Sequence, residues 1–209
     1  MNKMRSSAIL IAAMGILAMN NVNAEDRGAE IFNGMCNRCH GSQGQGVKGL
    51  EAPLIAGMPA WYVESQLKKF RQDLRGTHPK DMPGMRMRPM ANTLRESDIA
   101  LVAKYVEKIP TQPAMQIDSG DPKKGEASFA TCAGCHGADG KGNEAMSAPN
   151  LVMQDGWYLV SQLKNFKDGI RGADPRDSSG SMMRPMVATL TTEESMKDVV
   201  AYIQSLSKK

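Results

Sequence analysis

Apolar positions along the chain recur three and four residues apart and never alternate singly, so the pattern predicts helices and no sheet. The stripe Ile99, Val102, Tyr105, Val106 and Ile109 marks a helix starting near Ser97. Val199, Val200, Ile203 and Leu206 mark another starting near Glu193, with Thr191 and Glu194 spaced as a capping box. Leu67 and Phe70 share one face of a helix over residues 60–71, and Leu163 and Phe166 one over residues 157–167. Short helices are expected over residues 28–36 and 125–132. Residues 77–90, dense in Gly, Pro and Met, read as a loop.

The first segment follows a different pattern. Lys3 and Arg5 precede a 12-residue apolar run over residues 8–19, and Val22-Asn23-Ala24 ends in a small residue before the charged Glu25-Asp26-Arg27. Residues 1–24 therefore read as a cleaved secretory signal. As a helix the run reaches about 18 Å, short of the roughly 30 Å of bilayer hydrocarbon. No later run is long enough to span. The expected product is a soluble protein exported to a bacterial periplasm.

The remainder is an internal repeat. A shift of 96 residues lays Cys36, Cys39 and His40 on Cys132, Cys135 and His136. It also lays Gly41, Gly44 and Gly46 on Gly137, Gly140 and Gly142, Pro53 on Pro149, and Trp61-Tyr62 on Trp157-Tyr158. Ser65-Gln66-Leu67-Lys68, Arg75-Gly76 and Met87-Arg88-Pro89-Met90 recur in the same register. Two units of this length are a duplicated domain, because solenoids stack three or more shorter ones. Pro110, Pro113, Gly120 and Pro122 interrupt helix between them. The reading is all-α, with domains over residues 25–112 and 123–209 and a linker over 113–122. Aromatic residues make up only 5% of the chain. Helical units this small have weak cores of their own, which a buried macrocycle would fill.

Charge excludes one class of partner. The formal +4 includes Lys3 and Arg5, and the +2 left without them is too small and too evenly spread for nucleic acid.

The four cysteines carry the chemistry. In an exported protein four cysteines suggest two disulfides, yet here they form two C-x-x-C-H motifs, Cys36/Cys39/His40 and Cys132/Cys135/His136. This is the signature of covalent haem c attachment. Two thiols add across two vinyl groups, and the adjacent histidine is set beneath the iron. The spacing is strict because vinyls and iron sit at fixed places on a rigid ring. A zinc site would gather its four ligands together, and a thioredoxin-like motif would open a helix after a strand. Neither context is visible.

A sixth ligand comes from elsewhere, and methionine is the usual partner of histidine in electron-transfer haems. The overlay removes Met82 and Met85, which fall on Ser178 and Ser181. Met87/Met183 and Met90/Met186 both survive, and spacing does not separate them. The third histidine, His78, falls on Asp174 and stands outside the shared site. Arg75/Arg171 and Trp61/Trp157 are donors suited to haem propionates, or else a surface arginine and a core tryptophan.

These motifs, with Ala52-Pro53-Leu54, Ala148-Pro149-Asn150 and the M-x-x-M-A-x-x-L run before the last helix of the first repeat, resemble the dihaem class I cytochromes c, most closely cytochrome c4. The resemblance covers essentially all of residues 25–209; residues 77–90 depart from the family's pattern. It implies two tandem class I cytochrome c domains, each wrapped around one covalent haem. It further implies axial methionines seven residues before Leu94 and Leu190, hence Met87 and Met183. Pro53 and Pro149 would offer carbonyls to the Nδ1–H of His40 and His136. Closed His/Met coordination leaves no open position for a substrate, so the expected function is single-electron transfer without enzymatic activity. The expected partners are redox proteins, such as a quinol-oxidising complex or dehydrogenase on one side and a terminal oxidase on the other. Two alternatives are a dedicated electron-transfer subunit of a larger oxidoreductase and a dihaem enzyme with an openable iron.

Overall fold

The computed structural model describes residues 24–207. Residues 1–23, which carry nearly all of the expected signal, and residues 208–209 lie outside the described residues.

The chain folds as two similar helical domains. In the first, α1 (Ala24–Ile31) passes through a π-helical turn (Phe32–Cys36) into the short α2 (Asn37–His40). Then follow α3 (Ala60–Arg71), α4 (Met82–Thr93) and α5 (Glu96–Lys108). In the second domain α6 (Pro122–His136) runs unbroken to the histidine, followed by α7 (Gly156–Lys167), α8 (Ser178–Ala188) and α9 (Glu193–Leu206). Pro122 opens α6, where its missing N–H costs nothing. Among the described residues there is no sheet, only the isolated bridges Val47↔Ala52 and Asn143↔Ala148. None of the described helices is long and apolar enough to cross a membrane.

The predicted stripes are the cores. Ile99, Val102 and Val106 pack with Ile31, Phe32 and Leu94; Val199, Val200 and Ile203 pack with Phe129 and Leu190. The first helix of each domain crosses the last at a glycine. A methyl on Gly28 would lie 2.5 Å from the Leu101 carbonyl oxygen, and one on Gly125 2.0 Å from that of Asp198.

Three local expectations are corrected. The helix expected over residues 28–36 is interrupted by the π-turn. The box capping α9 is Thr192 with Ser195, one residue beyond the Thr191/Glu194 spacing. Residues 82–93 and 178–188 form α4 and α8 despite their composition. The cause is an aspartate at each N-cap: the Asp81 carboxylate accepts from the Gly84 N–H and the Asp177 carboxylate from the Gly180 N–H, both at 3.0 Å. These bonds satisfy otherwise orphaned donors. Pro83 sits in the first turn of α4, where it is tolerated. Pro89 and Pro185 lie inside α4 and α8, each removing one helical hydrogen bond.

Candidate functional site

Each domain encloses an apolar cavity, of about 230 Å³ in the first and about 340 Å³ in the second. Cys36, Cys39, His40, Pro53 and Met87 line the first; Cys132, Cys135, His136, Pro149 and Met183 line the second. All ten residues singled out in the sequence thus meet at two sites. No disulfide joins any of the four cysteines. Burial pushes the Cys36 thiol up to about 11 and raises that of Cys132. A redox-active C-x-x-C needs the opposite shift.

The histidines arrive at the end of a helix and are turned into the cavity by a loop. Gly46 and Gly142 donate their N–H to the carbonyls of His40 and His136 at 2.8 Å. At φ of +80° and +88° they adopt backbone open to glycine. A Cβ on Gly46 would stand 2.6 Å from the Leu54 nitrogen, and one on Gly142 2.7 Å from that of Asn150. The loop can therefore pass tightly beneath the proline segment. The bridges beside it return Pro53 and Pro149 to the histidines: Nδ1 of His40 is 2.8 Å from the Pro53 carbonyl, and Nδ1 of His136 is 2.9 Å from that of Pro149. A carbonyl only accepts, so Nδ1 carries the proton and the Nε2 lone pair is left for a metal. Burial pushes both imidazoles toward the neutral form, with the carbonyl bond opposing it less strongly. The neutral form is the one that ligates.

Methionines come from α4 and α8. Met87 and Met183 are half-buried, while Met90 and Met186 also line the cavities but are 38% and 39% exposed. His78 is apart, its Nδ1 accepting from the Lys80 N–H at 3.2 Å. Trp61 and Trp157 line neither cavity and pack edge-on against Tyr62 and Tyr158.

The arginines do more than the sequence indicated. Arg75 and Arg171 are buried, each stacked 4.6 Å over a phenylalanine, Phe70 and Phe166. The surface reading of these two is therefore corrected: each lines its cavity and bridges the domains. Arg75 donates to Gln66 at 2.9 Å in its own domain and to the Tyr158 hydroxyl at 2.6 Å and Gln162 at 3.3 Å in the other. Arg171 donates to Gln162 and Gln66, both at 2.8 Å. The Nε of Arg75 is buried and unpaired among the described residues. A charged donor left orphaned at the edge of an apolar cavity suits the carboxylate of a bound group. With the thiol pairs and tautomer-fixed imidazoles, the donor set fits haem c.

The interface was the part sequence reasoning missed. A signal was present: Tyr62/Tyr158 and Gln66/Gln162 recur in both repeats, and polar side chains kept on a helix need polar partners. Lys69 was invisible, because its repeat counterpart is Asn165. Its ammonium reaches the carboxylate of Asp177 at 2.7 Å and the hydroxyl of Ser179 at 2.6 Å across the interface.

A helical domain built around C-x-x-C-H, with a histidine held by a proline carbonyl, defines a cytochrome c unit, and comparison with known proteins agrees. The cytochrome c family model matches residues 25–110 and again 122–207; the chain belongs to the cytochrome c family. Within it, the chain is of the dihaem cytochrome c4 type. It is 31% identical to a cytochrome c4 from Thiocapsa roseopersicina, over 91% of this chain and 97% of that one. It is 29% identical to a thiosulfate dehydrogenase electron acceptor from Stutzerimonas stutzeri (strain A1501), over 83% and 80%. The crystal structure of reduced recombinant cytochrome c4 from Pseudomonas stutzeri superposes with a TM-score of 0.66 at 25% identity, covering 87% of this chain and 97% of that one. The chain is thus an electron-transfer cytochrome with two haem c sites.

Proposed function

We propose that this protein carries single electrons in the bacterial periplasm, from a quinol-oxidising complex or a dehydrogenase to a terminal oxidase. The observation that carries this reading is that an imidazole with its proton fixed on Nδ1 and a half-buried thioether line each cavity, so the chain would supply both ligands to an iron bound there. Bound haem c supplies a one-electron iron couple. The chain does the rest. Cys36/Cys39 and Cys132/Cys135 would hold the ring covalently, His40 and His136 would ligate through Nε2, and Met87 and Met183 would ligate through sulfur, which would raise the potential. Pro53 and Pro149 fix the imidazole planes. The free Nε of Arg75 would hold a propionate. The apolar walls keep water away.

Partners meet the openings of the cavities, where Leu50 and Met90 on one domain and Met146, Met182 and Met186 on the other are exposed. Such apolar rims suit brief contact with a redox protein. The relative described as a thiosulfate dehydrogenase electron acceptor favours a second reading, in which the donor is one dedicated dehydrogenase.

The test is optical redox titration of the Met87→Ala and Met183→Ala variants. Each is expected to lower the potential of its own haem and let that iron bind added cyanide. An unchanged potential would assign ligation to Met90 and Met186 instead.

A further inference from the structure

The two proximal histidines make the same first hydrogen bond, but what stands behind it differs. The peptide that joins Pro53 to Leu54 accepts from His40 through its carbonyl. Through its N–H it donates to Oδ2 of Asp155, in the other domain, at 3.2 Å. Asp155 is fully buried. Its other oxygen accepts from the Met115 N–H at 2.8 Å, in the segment joining the domains. It occupies the N-cap position of α7, yet its side chain caps nothing there. An aspartate at that position ordinarily accepts from its own helix; this one is directed across the interface instead.

The second site lacks the arrangement. The peptide behind His136 joins Pro149 to Asn150, and among the described residues no carboxylate meets the Asn150 N–H. The repeat counterpart of Asp155 is Pro59, which has no acceptor side chain to offer.

We propose that Asp155 is a positioning residue that sets the potential of the opposite domain's haem, acting on His40 through the Pro53–Leu54 peptide. A carboxylate on the N–H side of a peptide polarises it and makes its carbonyl a stronger acceptor. The imidazole behind that carbonyl becomes a more basic ligand. A more basic ligand stabilises the ferric state, so the N-terminal haem is the easier of the two to oxidise. The relay runs from carboxylate to peptide to imidazole, and it exists only when the domains are docked. The inference rests on His40 being an axial ligand.

The test uses the full chain with both haems attached and the Asp155→Asn variant, which keeps the shape and removes the charge. Two quantities are read: the distribution of one electron between the haems in the half-reduced protein, and the proton resonances of the His40 ring in the fully reduced form. The variant is expected to move the distribution toward the N-terminal haem by about tenfold, the scale of one charge removed at short range in a partly screened interior. The His40 Nδ1–H resonance should shift as its hydrogen bond weakens, while that of His136 stays. Met153→Ala is the control. It removes a cross-domain apolar contact, that of Met153 against the core of the first domain, and no charge; Met153 lines neither cavity. Its distribution should match that of the parent. An unchanged distribution in Asp155→Asn overturns the proposal, as does an equal shift in Met153→Ala, which would make domain packing the cause. If the His40 ring lacks the large upfield shift of an axial ligand, the ligation reading fails and the proposal with it; if that shift is present and the distribution is unmoved, the proposal alone fails.

Discussion

Replacing Lys69 with methionine should loosen the domains and do so by an amount that can be worked out. The Lys69 ammonium sits 2.7 Å from the Asp177 carboxylate; the two side chains are only 14% and 1% exposed. Burial, helped by the neighbouring Arg171 and Arg75, lowers the Lys69 pKa and Asp177 opposes it, with the balance below the ordinary value. Removing one partner of a buried pair costs about 3–5 kcal/mol, because the other charge is left without compensation. Asp177 keeps its bond from the Gly180 N–H and sits at the start of α8, and a helix N-terminus returns about 0.5–1 kcal/mol to a carboxylate. The net expectation is about 3 kcal/mol, or roughly 6–12 °C in Tm for a chain of this size. The assay is thermal unfolding followed by far-ultraviolet circular dichroism, on Lys69→Met, Asp177→Asn and the double variant. The double variant should recover about 2 kcal/mol relative to the sum of the singles, since neither charge is then stranded. A Lys69→Met protein that melts within 1 °C of the parent, or strict additivity of the two singles, would refute the reasoning (both thresholds set by the roughly 0.3–0.5 kcal/mol scatter of additive sites).

Asp98 is buried between Arg27 and Arg95, whose hydrogen bonds hold its carboxyl well below the usual range. The stability it contributes is full above the unfolded carboxyl value of about 3.9 and is lost as pH falls toward the depressed folded value; Asp98→Asn should therefore melt lower than the parent at pH 7, with the gap shrinking as the pH drops below about 4. Gly46→Ala should cost roughly 1–2 kcal/mol for its positive φ alone, with a further loss as the new methyl pushes the Leu54 nitrogen away and stretches the bond from His40 to Pro53, read as a lower Tm and altered His40 resonances. Arg75→Leu should strand the Tyr158 hydroxyl, while Gln162 keeps its bond from Arg171, destabilising by about 1–3 kcal/mol, and denaturant melts should report it. The same change leaves Arg171 and Gln66 in place, so loss of the whole interface would show that the two arginine bridges do not act separately.

What was legible in the sequence followed the stringency of the chemistry. A rigid ring with two vinyls and one iron tolerates one spacing of Cys, Cys and His, so the motif could be read without any structure. The helical stripes were equally plain, because a two-turn apolar face leaves a period that composition does not obscure. Helices α4 and α8 were hidden because local composition and local capping disagree there: Pro83, Pro89 and the glycines argue against helix, and a single aspartate three residues before a glycine outweighs them. The choice between Met87 and Met90 could not be read from spacing, since both lie on one helix within a turn of each other and the difference between them is one of burial. Asp155 and Lys69 were lost for a separate reason. The repeat overlay keeps what the two domains share, and Pro59 and Asn165 stand in their places in the other copy. An overlay of this kind finds the sites and discards whatever binds one domain to the other unequally.

That blindness matters because the cavities are not private to their domains. Tyr158 and Gln162 line the first cavity, Tyr62 and Gln66 line the second, and Met58 and Gln154 line both. Each site is thus closed on one side by the opposite domain. The residues proposed to hold the ring are the same in the two copies, cysteine for cysteine, histidine for histidine and proline for proline. A difference in potential between the two haems must come from what surrounds that common set. The symmetric part of the interface, the two arginines shared between Gln66 and Gln162, cannot supply much of it, because it acts alike on both. The unequal part can: Asp155 places an anion behind His40 with no counterpart behind His136. The other unshared charges come as pairs, Lys69 with Asp177 at the second cavity and Arg86 with Glu51 at the first, so each is largely neutralised. An anion behind a ligand favours the oxidised form, so the role proposed for Asp155 would make the N-terminal haem the donor and the C-terminal haem the acceptor within one molecule, and would do so only while the domains are held together.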